Sequence, residues 1–182
     1  MKTGQVLKEF SIKSGDKIVL RTPRWEDLDD LLQLINSVVD EGAQIGKDRK
    51  VSREEEIDWL SGLLARLERG KTFFLIGEAK GKIIASSDIN RQDGFQKHVG
   101  VVGIAIMKDF REVGIGTAMM RVLIEQAKKM GMEILTLTAF ASNERAIHVY
   151  EKVGFLKTGL IPKKHLKQGK YIDEVIMTKL LE

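Results

Sequence analysis

Near residue 108 the hydrophobic period of this sequence changes from the period of a strand to that of a helix, and the switch limits the fold more than any other feature. Upstream, Thr72 to Glu78, Lys82 to Ile89 and His98 to Met107 are β-prone runs, parted by Lys80-Gly81 and by Arg91-Gln92-Asp93-Gly94. Both breaks are of the hairpin kind, so the three runs predict an antiparallel meander. Downstream, Ile115, Met119, Val122, Leu123 and Gln126 share one helical stripe that ends in Lys128-Lys129 and the stop glycine Gly131, a basic last turn with its natural terminator.

The flanking segments extend this pattern. Lys17 to Arg21 reads as a short strand, and Pro23 with Glu26 and Asp27 marks a helix start ahead of Leu28, Leu31, Leu32, Ile35 and Val38. Ser52 with Glu55 forms a capping box for a second helix carrying Ile57, Leu60, Leu63, Leu64 and Leu67. Glu133 to Ala139 is a further strand, Asn143 to Val153 a helix stopped by Gly154, and Tyr171 to Leu180 a closing strand. Residues 11–17 and 42–50 are polar enough for exposed loops. The order β-α-α-β-β-β-α-β-α-β, with room for one more strand at the end, predicts an α/β fold with a mixed central sheet of about six to seven strands and about four helices. No repeat or linker divides the 182 residues, so one domain, 1–182, is expected.

Composition removes whole classes of function. Apolar residues make up 43% and charged residues 31%, with only two prolines, which excludes a disordered or collagenous chain. With no cysteine there is no disulfide scaffold, thiolate zinc site or cysteine nucleophile, and three scattered histidines argue against a metal. No apolar run approaches a membrane span and the N-terminus lacks a signal-peptide core, so a cytoplasmic protein without a membrane partner is expected. A net charge of +4, both signs interspersed, with few aromatics does not describe a nucleic-acid binder.

Arg111-Glu112-Val113-Gly114-Ile115-Gly116-Thr117 lies between the third meander strand and the long helix. Glycines there let a backbone approach an anion, and the first amides of a helix, at its positive dipole end, accept the charge. No Gly-Lys-Ser/Thr follows, and Met119 stands where a dinucleotide fingerprint needs glycine. A plain tight turn also fits these residues taken alone.

A second motif follows in Asn143-Glu144-Arg145-Ala146-Ile147-His148-Val149-Tyr150-Glu151-Lys152-Val153-Gly154-Phe155. Asn143 and Tyr150, seven residues apart, look out from nearly the same helix face. Together the motifs resemble those of the GNAT superfamily of acyl-coenzyme-A-dependent N-acetyltransferases, Q/R-x-x-G-x-G/A and N-x-x-A-x-x-x-Y-x-K-x-G-F. Arg111, Gly114 and Gly116 match the first, and Asn143, Ala146, Tyr150, Lys152, Gly154 and Phe155 the second. The resemblance runs from about Lys17 to Leu180 and implies a GNAT-like sheet splayed in the middle.

It also implies roles. Backbone groups of Ile104, Ala105 and Ile106 would hold the pantetheine arm of acetyl-CoA as an added strand. The loop Arg111, Glu112, Val113, Gly114, Ile115, Gly116, with Thr117, would seat the pyrophosphate, and Asn143 would bond the pantetheine. A neutral amine would attack the thioester directly, a backbone N–H near Ile106 facing the oxyanion. Tyr150, a phenol of ordinary pKa about 10, suits the general acid that protonates the thiolate.

An alkylamine is only about 0.1% neutral at pH 7, so a base or water chain is required. In the branch acting on ribosomal-protein N-termini a glutamate stands five residues before the motif asparagine, where this chain has Thr138. A carboxylate three residues after the strand histidine is also missing, since His98 is followed there by Val101. Asp88, His98, Asp173 and Glu174 remain, provided strand alternation turns them inward.

The acceptor is either a small-molecule amine or a protein N-terminus or lysine, and a non-catalytic acyl-CoA-binding module is the reading from another class. Residues 41–50 are an acceptor-loop candidate by resemblance and an ordinary connector by composition. Lys163-Lys164-His165-Leu166-Lys167, with Lys157 and Lys170, reads as a solvated loop or an anion-attracting patch. Trp25 and Trp59 are assigned to packing seams, and exposed sheet edges leave a homodimer open.

Overall fold

The structure, a computed structural model, describes residues 2–43 and 47–182. In chain order the elements are β1 (Val6–Ser11), β2 (Lys17–Arg21), α1 (Leu28–Asp40), α2 (Arg53–Glu68), β3 (Thr72–Ala79), β4 (Lys82–Arg91), β5 (Val99–Ile106), α3 (Ile115–Lys129), β6 (Ile134–Phe140), α4 (Glu144–Lys152), β7 (Leu156–Lys167) and β8 (Lys170–Leu180). The strands form one sheet in the order β1-β2-β3-β4-β5-β6-β8-β7. Every neighbouring pair is antiparallel except β5 with β6.

The meander and the α/β class stand as expected, but the sheet has eight strands rather than six to seven. β1 escapes sequence reading because only Leu7 and Phe10 are half-buried on it, too sparse a pattern for a strand signal. β7 is the other edge, and the basic segment 163–167 lies within it rather than in a loop. Lysines, Pro162 and a break in register between Ile161 and His165 suit an edge strand, which must resist pairing with foreign chains.

Helices cover both faces. The stripe Ile115, Met119, Val122, Leu123 and Gln126 of α3 is buried, against residues such as Leu75, Ile89 and Leu135 of the sheet. On the other face Leu31, Leu34, Leu60 and Leu63 of α1 and α2 pack on Phe74, Ile76 and Ile83. The capping box of α2 forms as read, with Ser52 Oγ accepting from the Glu55 amide at 3.1 Å and Glu55 Oε2 from the Ser52 amide at 2.8 Å. A buried cation locks the first layer: Arg21 donates to both Asp27 oxygens at 2.7 Å and to Glu78 at 2.9 Å, joining β2, the start of α1 and β3. Among the described residues no helix is long and apolar enough to cross a membrane.

The one parallel pair is short. β5 and β6 match only at Val99/Ile134, Gly100/Leu135 and Val101/Thr136, after which β5 continues to Ile106 and β6 to Phe140 without pairing. Gly100 sits where the pair is held, and a Cβ there would stand 2.6 Å from Met132 Sδ, 2.7 Å from Ile89 Cγ2 and 2.9 Å from Leu135 Cδ2. Gly100→Ala is therefore expected to destabilise the protein by about 1–3 kcal/mol through overpacking, seen as a lower midpoint in thermal or urea unfolding; an unchanged midpoint would contradict this packing.

Candidate active site

Where β5 and β6 part, a cleft of about 1640 Å³ opens, bordered by Ile104–Ile106, the loop after β5, the start of α4 and the inner faces of α1 and α2. Residues 104, 105 and 106 present backbone there because the sheet ladder to β6 has ended at Val101. Arg111, Glu112, Gly114, Gly116, Thr117, Asn143 and Tyr150 border the same cleft. Two of the expected loop residues contribute differently: Ile115 is fully buried and Val113 packs on the core, so their side chains anchor the loop.

The loop's conformation follows from its glycine. Gly114, at φ +92°, is the N-cap of α3, and with no side chain it leaves the first amides of the helix uncapped. An anion completes such a terminus. Arg111 holds the loop in place, its Nε donating to the Ile106 carbonyl at 2.9 Å and its guanidinium pairing with Glu41 at the end of α1. Arg145 of α4 reaches Glu112 at 3.4 Å, an exposed pair of little energetic weight.

On α4, Asn143 Oδ1 accepts the Ala146 amide at 3.3 Å, which starts the helix and orients its first turn. Tyr150, two turns on, is only 7% exposed and its ring lies 6.2 Å from that of Phe155. Burial pushes its phenol up to about 12, so it carries its proton at any physiological pH.

Of the four candidate bases, Asp88 and Glu174 border the cleft, whereas His98 and Asp173 do not. The His98 carbonyl accepts from Glu133, and Asp173 holds the Lys163 amide at 2.7 Å. Glu174 is committed to His165 at 3.0 Å, and that imidazole stacks on Phe140 with ring centres 3.9 Å apart. Asp88 lies opposite Gly103 in the β4–β5 register, and a Cβ at 103 would meet Asp88 Oδ1 at 2.7 Å. The missing side chain is what admits the carboxylate. Asn90 Nδ2 donates to Asp88 Oδ2, and Thr72 Oγ1 lies 3.1 Å from Asn90 Oδ1. Burial pushes the Asp88 carboxyl up to about 6, the Asn90 bond acting in the opposite direction.

The acceptor-loop candidate borders the cleft through Gly42, Ala43, Lys47, Asp48 and Arg49. Glu41 meets Arg111, and the Gly42 carbonyl accepts from Lys167 of β7, so the segment 41–42 bridges the two halves of the sheet. Gln44, Ile45 and Gly46 of that candidate lie outside the described residues. Trp59 packs edge-to-face on Phe74 at 5.3 Å, the seam expected of it, and also borders the cleft. Trp25, in the turn before α1, is 46% exposed, so it is not the buried seam expected. Sequence reading missed Glu56, which is 5% exposed and heads the inner stripe Glu56, Leu60, Leu63, Leu67 of α2. Its signal was its place one turn before Leu60, hidden within Glu54-Glu55-Glu56.

The cleft thus lies where the sheet parts in the middle, with a glycine-capped helix facing the gap and a buried phenol beside it. Residues 25–155 match the profile of the Acetyltransferase (GNAT) family, and the chain belongs to it. The enzyme class is thus an acetyl-CoA-dependent N-acetyltransferase. Among curated relatives, the L-methionine sulfoximine/L-methionine sulfone acetyltransferase of Pseudomonas paraeruginosa is 23% identical over 153 residues, covering 83% of this chain and 87% of its own. The L-amino acid N-acyltransferase MnaT of Escherichia coli is 24% identical over 166 residues, covering 90% and 94%. Among solved structures, yncA of Salmonella typhimurium, determined with its cofactor acetyl-CoA, superposes with a TM-score of 0.80 at 20% identity over 91% of this chain and 94% of its own.

Gly116 stands in the first turn of α3, and a Cβ there would lie 3.3 Å from Ile106 Cδ1. Gly116→Glu places a carboxylate beside the uncapped amides of α3, where it would repel an anion. Loss of acetyl-CoA binding by calorimetry is expected, with the far-ultraviolet circular dichroism retained; unaltered affinity would remove the loop from the site.

Proposed function

We propose that this enzyme transfers an acetyl group directly to the amine of a small molecule within a ternary complex, with Asp88 as general base and Tyr150 as general acid. The observation that carries this reading is Asp88: a cleft carboxylate tuned to about 6, the range in which a base accepts a proton at neutral pH and releases it again.

The residues present fit acetyl-CoA. The uncapped amides at the start of α3 suit its pyrophosphate, and the side of β5 that has left the ladder to β6 at residues 104–106, where only the Ile106 carbonyl is taken by Arg111, suits the amide-bearing pantetheine arm. Bound acetyl-CoA supplies the acetyl group as a thioester. Asp88 takes a proton from the attacking amine as the N–C bond forms, a backbone N–H near Ile106 steadies the oxyanion, and Tyr150 gives its proton to the departing sulfur as the C–S bond breaks. Asn143, by capping α4, sets the direction in which Tyr150 points. Absence of cysteine from the chain agrees with transfer that forms no thioester on the enzyme.

Three observations favour a small acceptor over a protein N-terminus. Position 138 is threonine instead of the ribosomal-protein branch's glutamate, Gly42, Ala43 and Lys47 after α1 border the cleft, with Gly42 tied to Lys167 of β7, and the relatives noted above act on amino acids or their analogues.

Asp88→Asn is expected to lower kcat/KM about 10²–10⁴-fold and Tyr150→Phe about tenfold or more, measured by thiol release with an accepted amine. In the wild type kcat/KM falls as pH drops through about 6, because protonated Asp88 is no base, and this limb vanishes in Asp88→Asn; a limb that survives the substitution assigns the base elsewhere. Stability moves the opposite way. The native carboxyl binds its proton more tightly than the unfolded one, so the native state loses stability as pH rises from about 4 to 6. Asp88→Asn should therefore melt higher than wild type at pH 7–8, the difference shrinking toward pH 4 in calorimetry.

A further inference from the structure

We infer that Glu56 binds a second positive charge on the acceptor, so that the preferred substrate is an amine bearing a further cationic group on a short methylene chain. This rests on the acetyl-transfer reading above and names its substrate class.

Glu56 occupies a position that helix patterning reserves for an apolar residue. On α2 the buried stripe runs Glu56, Leu60, Leu63, Leu67, and the carboxylate stands at its head with only 5% of the residue exposed. That remaining exposure is to the cleft, which Glu56 borders together with Leu31, Leu34, Ile35 and Val38 of α1. An ionised carboxylate in an apolar wall is costly unless something pairs with it. Among the described residues Glu56 has no ion pair and no side-chain hydrogen bond. Lys47 is the nearest influence that favours its charged form, yet it is exposed and stays beyond ion-pair distance. Desolvation holds the Glu56 carboxyl above the usual carboxylate range, as expected of a group awaiting a counter-charge.

The other cleft carboxylates are paired or exposed. Glu55 is paired with Arg49 at 2.6 Å, Glu174 with His165 and Glu112 with Arg145, while Asp48 and Glu144 are exposed to solvent. Asp88, the proposed base, meets the amine that reacts. Glu56 and Asp88 are linked by a contiguous wall: Trp59 lies one helical turn after Glu56 and packs on Phe74, which pairs with Asp88 across β3 and β4. A methylene chain laid on this apolar and aromatic wall carries one amine to Asp88 and delivers a second cation to Glu56, which supplies a charge-assisted bond. Trp59 adds a ring face on which a cation is also stabilised. Diamines and basic amino acids share this chemistry.

The test compares acceptors with the same carbon skeleton: diaminobutane against butylamine, and lysine against norleucine, by kcat/KM for thiol release. Wild type should favour the two-amine member of at least one pair about tenfold or more, and the pair that shows the preference tells diamine from amino acid. In Glu56→Gln, an isosteric change, the ratio should fall toward one while the melting temperature holds or rises. Lys47→Ala should keep the ratio. The inference is overturned if wild type treats both pairs alike, if Glu56→Gln retains the preference, or if Lys47→Ala abolishes it equally, since Glu56 would then serve Lys47. Absence of turnover with every amine would instead sink the acetyl-transfer reading, a different outcome from turnover without selectivity.

Discussion

The parallel pairing of β5 and β6 ends after three residues, and the cleft in the middle of the sheet depends on that parting. A sheet normally consumes its own backbone hydrogen-bonding groups. Here the strand that leads to the glycine loop keeps residues 104–106 out of the ladder to β6, with the Ile106 carbonyl taken by Arg111, beside a cleft wide enough for an extended ligand. The same parting sets α3 and α4 on either side of the gap, so that an uncapped helix start and a buried phenol face one space. Gly100 makes the closing point of the two strands tight, and the adjoining pairs hold each half rigid.

Stability and function divide between the two sides of this arrangement. The buried Arg21–Asp27–Glu78 cluster is fully paired, joins three elements and lies away from the cleft. Such a network is most important for where it holds things, since isolated buried ions add little net stability. Around the cleft the opposite holds: the half-buried Asp88 and the buried Glu56 are carboxyls whose charged forms are disfavoured by their surroundings. A fold selected for stability alone would replace both by neutral residues. Two such carboxyls bordering one cleft agree with the proposed use of charge there.

Much of the fold was legible because its signals are local. The Ser52/Glu55 box, the stripe of α3, the three meander strands and the stop glycines each depend on neighbours within a turn or two. β1 and β7 were not, since edge strands carry half-buried alternation and many charges. The same limit applied to the site. Gly114, Gly116, Asn143 and Tyr150 were visible as motifs at fixed spacing. Among the four bases, only the structure separates Asp88 and Glu174, which reach the cleft, from His98 and Asp173, which do not. Arg111, expected at the phosphate, makes its bonds to Ile106 and Glu41.

By itself the amino-acid sequence determined the helices, the inner strands, the glycine loop and the Asn-to-Tyr helix, because dihedral preference, capping and periodicity act between near neighbours. Tertiary structure alone decided which carboxylates are buried, that Gly103 makes room for Asp88, and that Glu56 heads an inner stripe instead of a solvated face. Those properties arise from segments far apart in the chain: the local dielectric and the charges surrounding a group are set by what packs against it, and no stretch of sequence carries that alone.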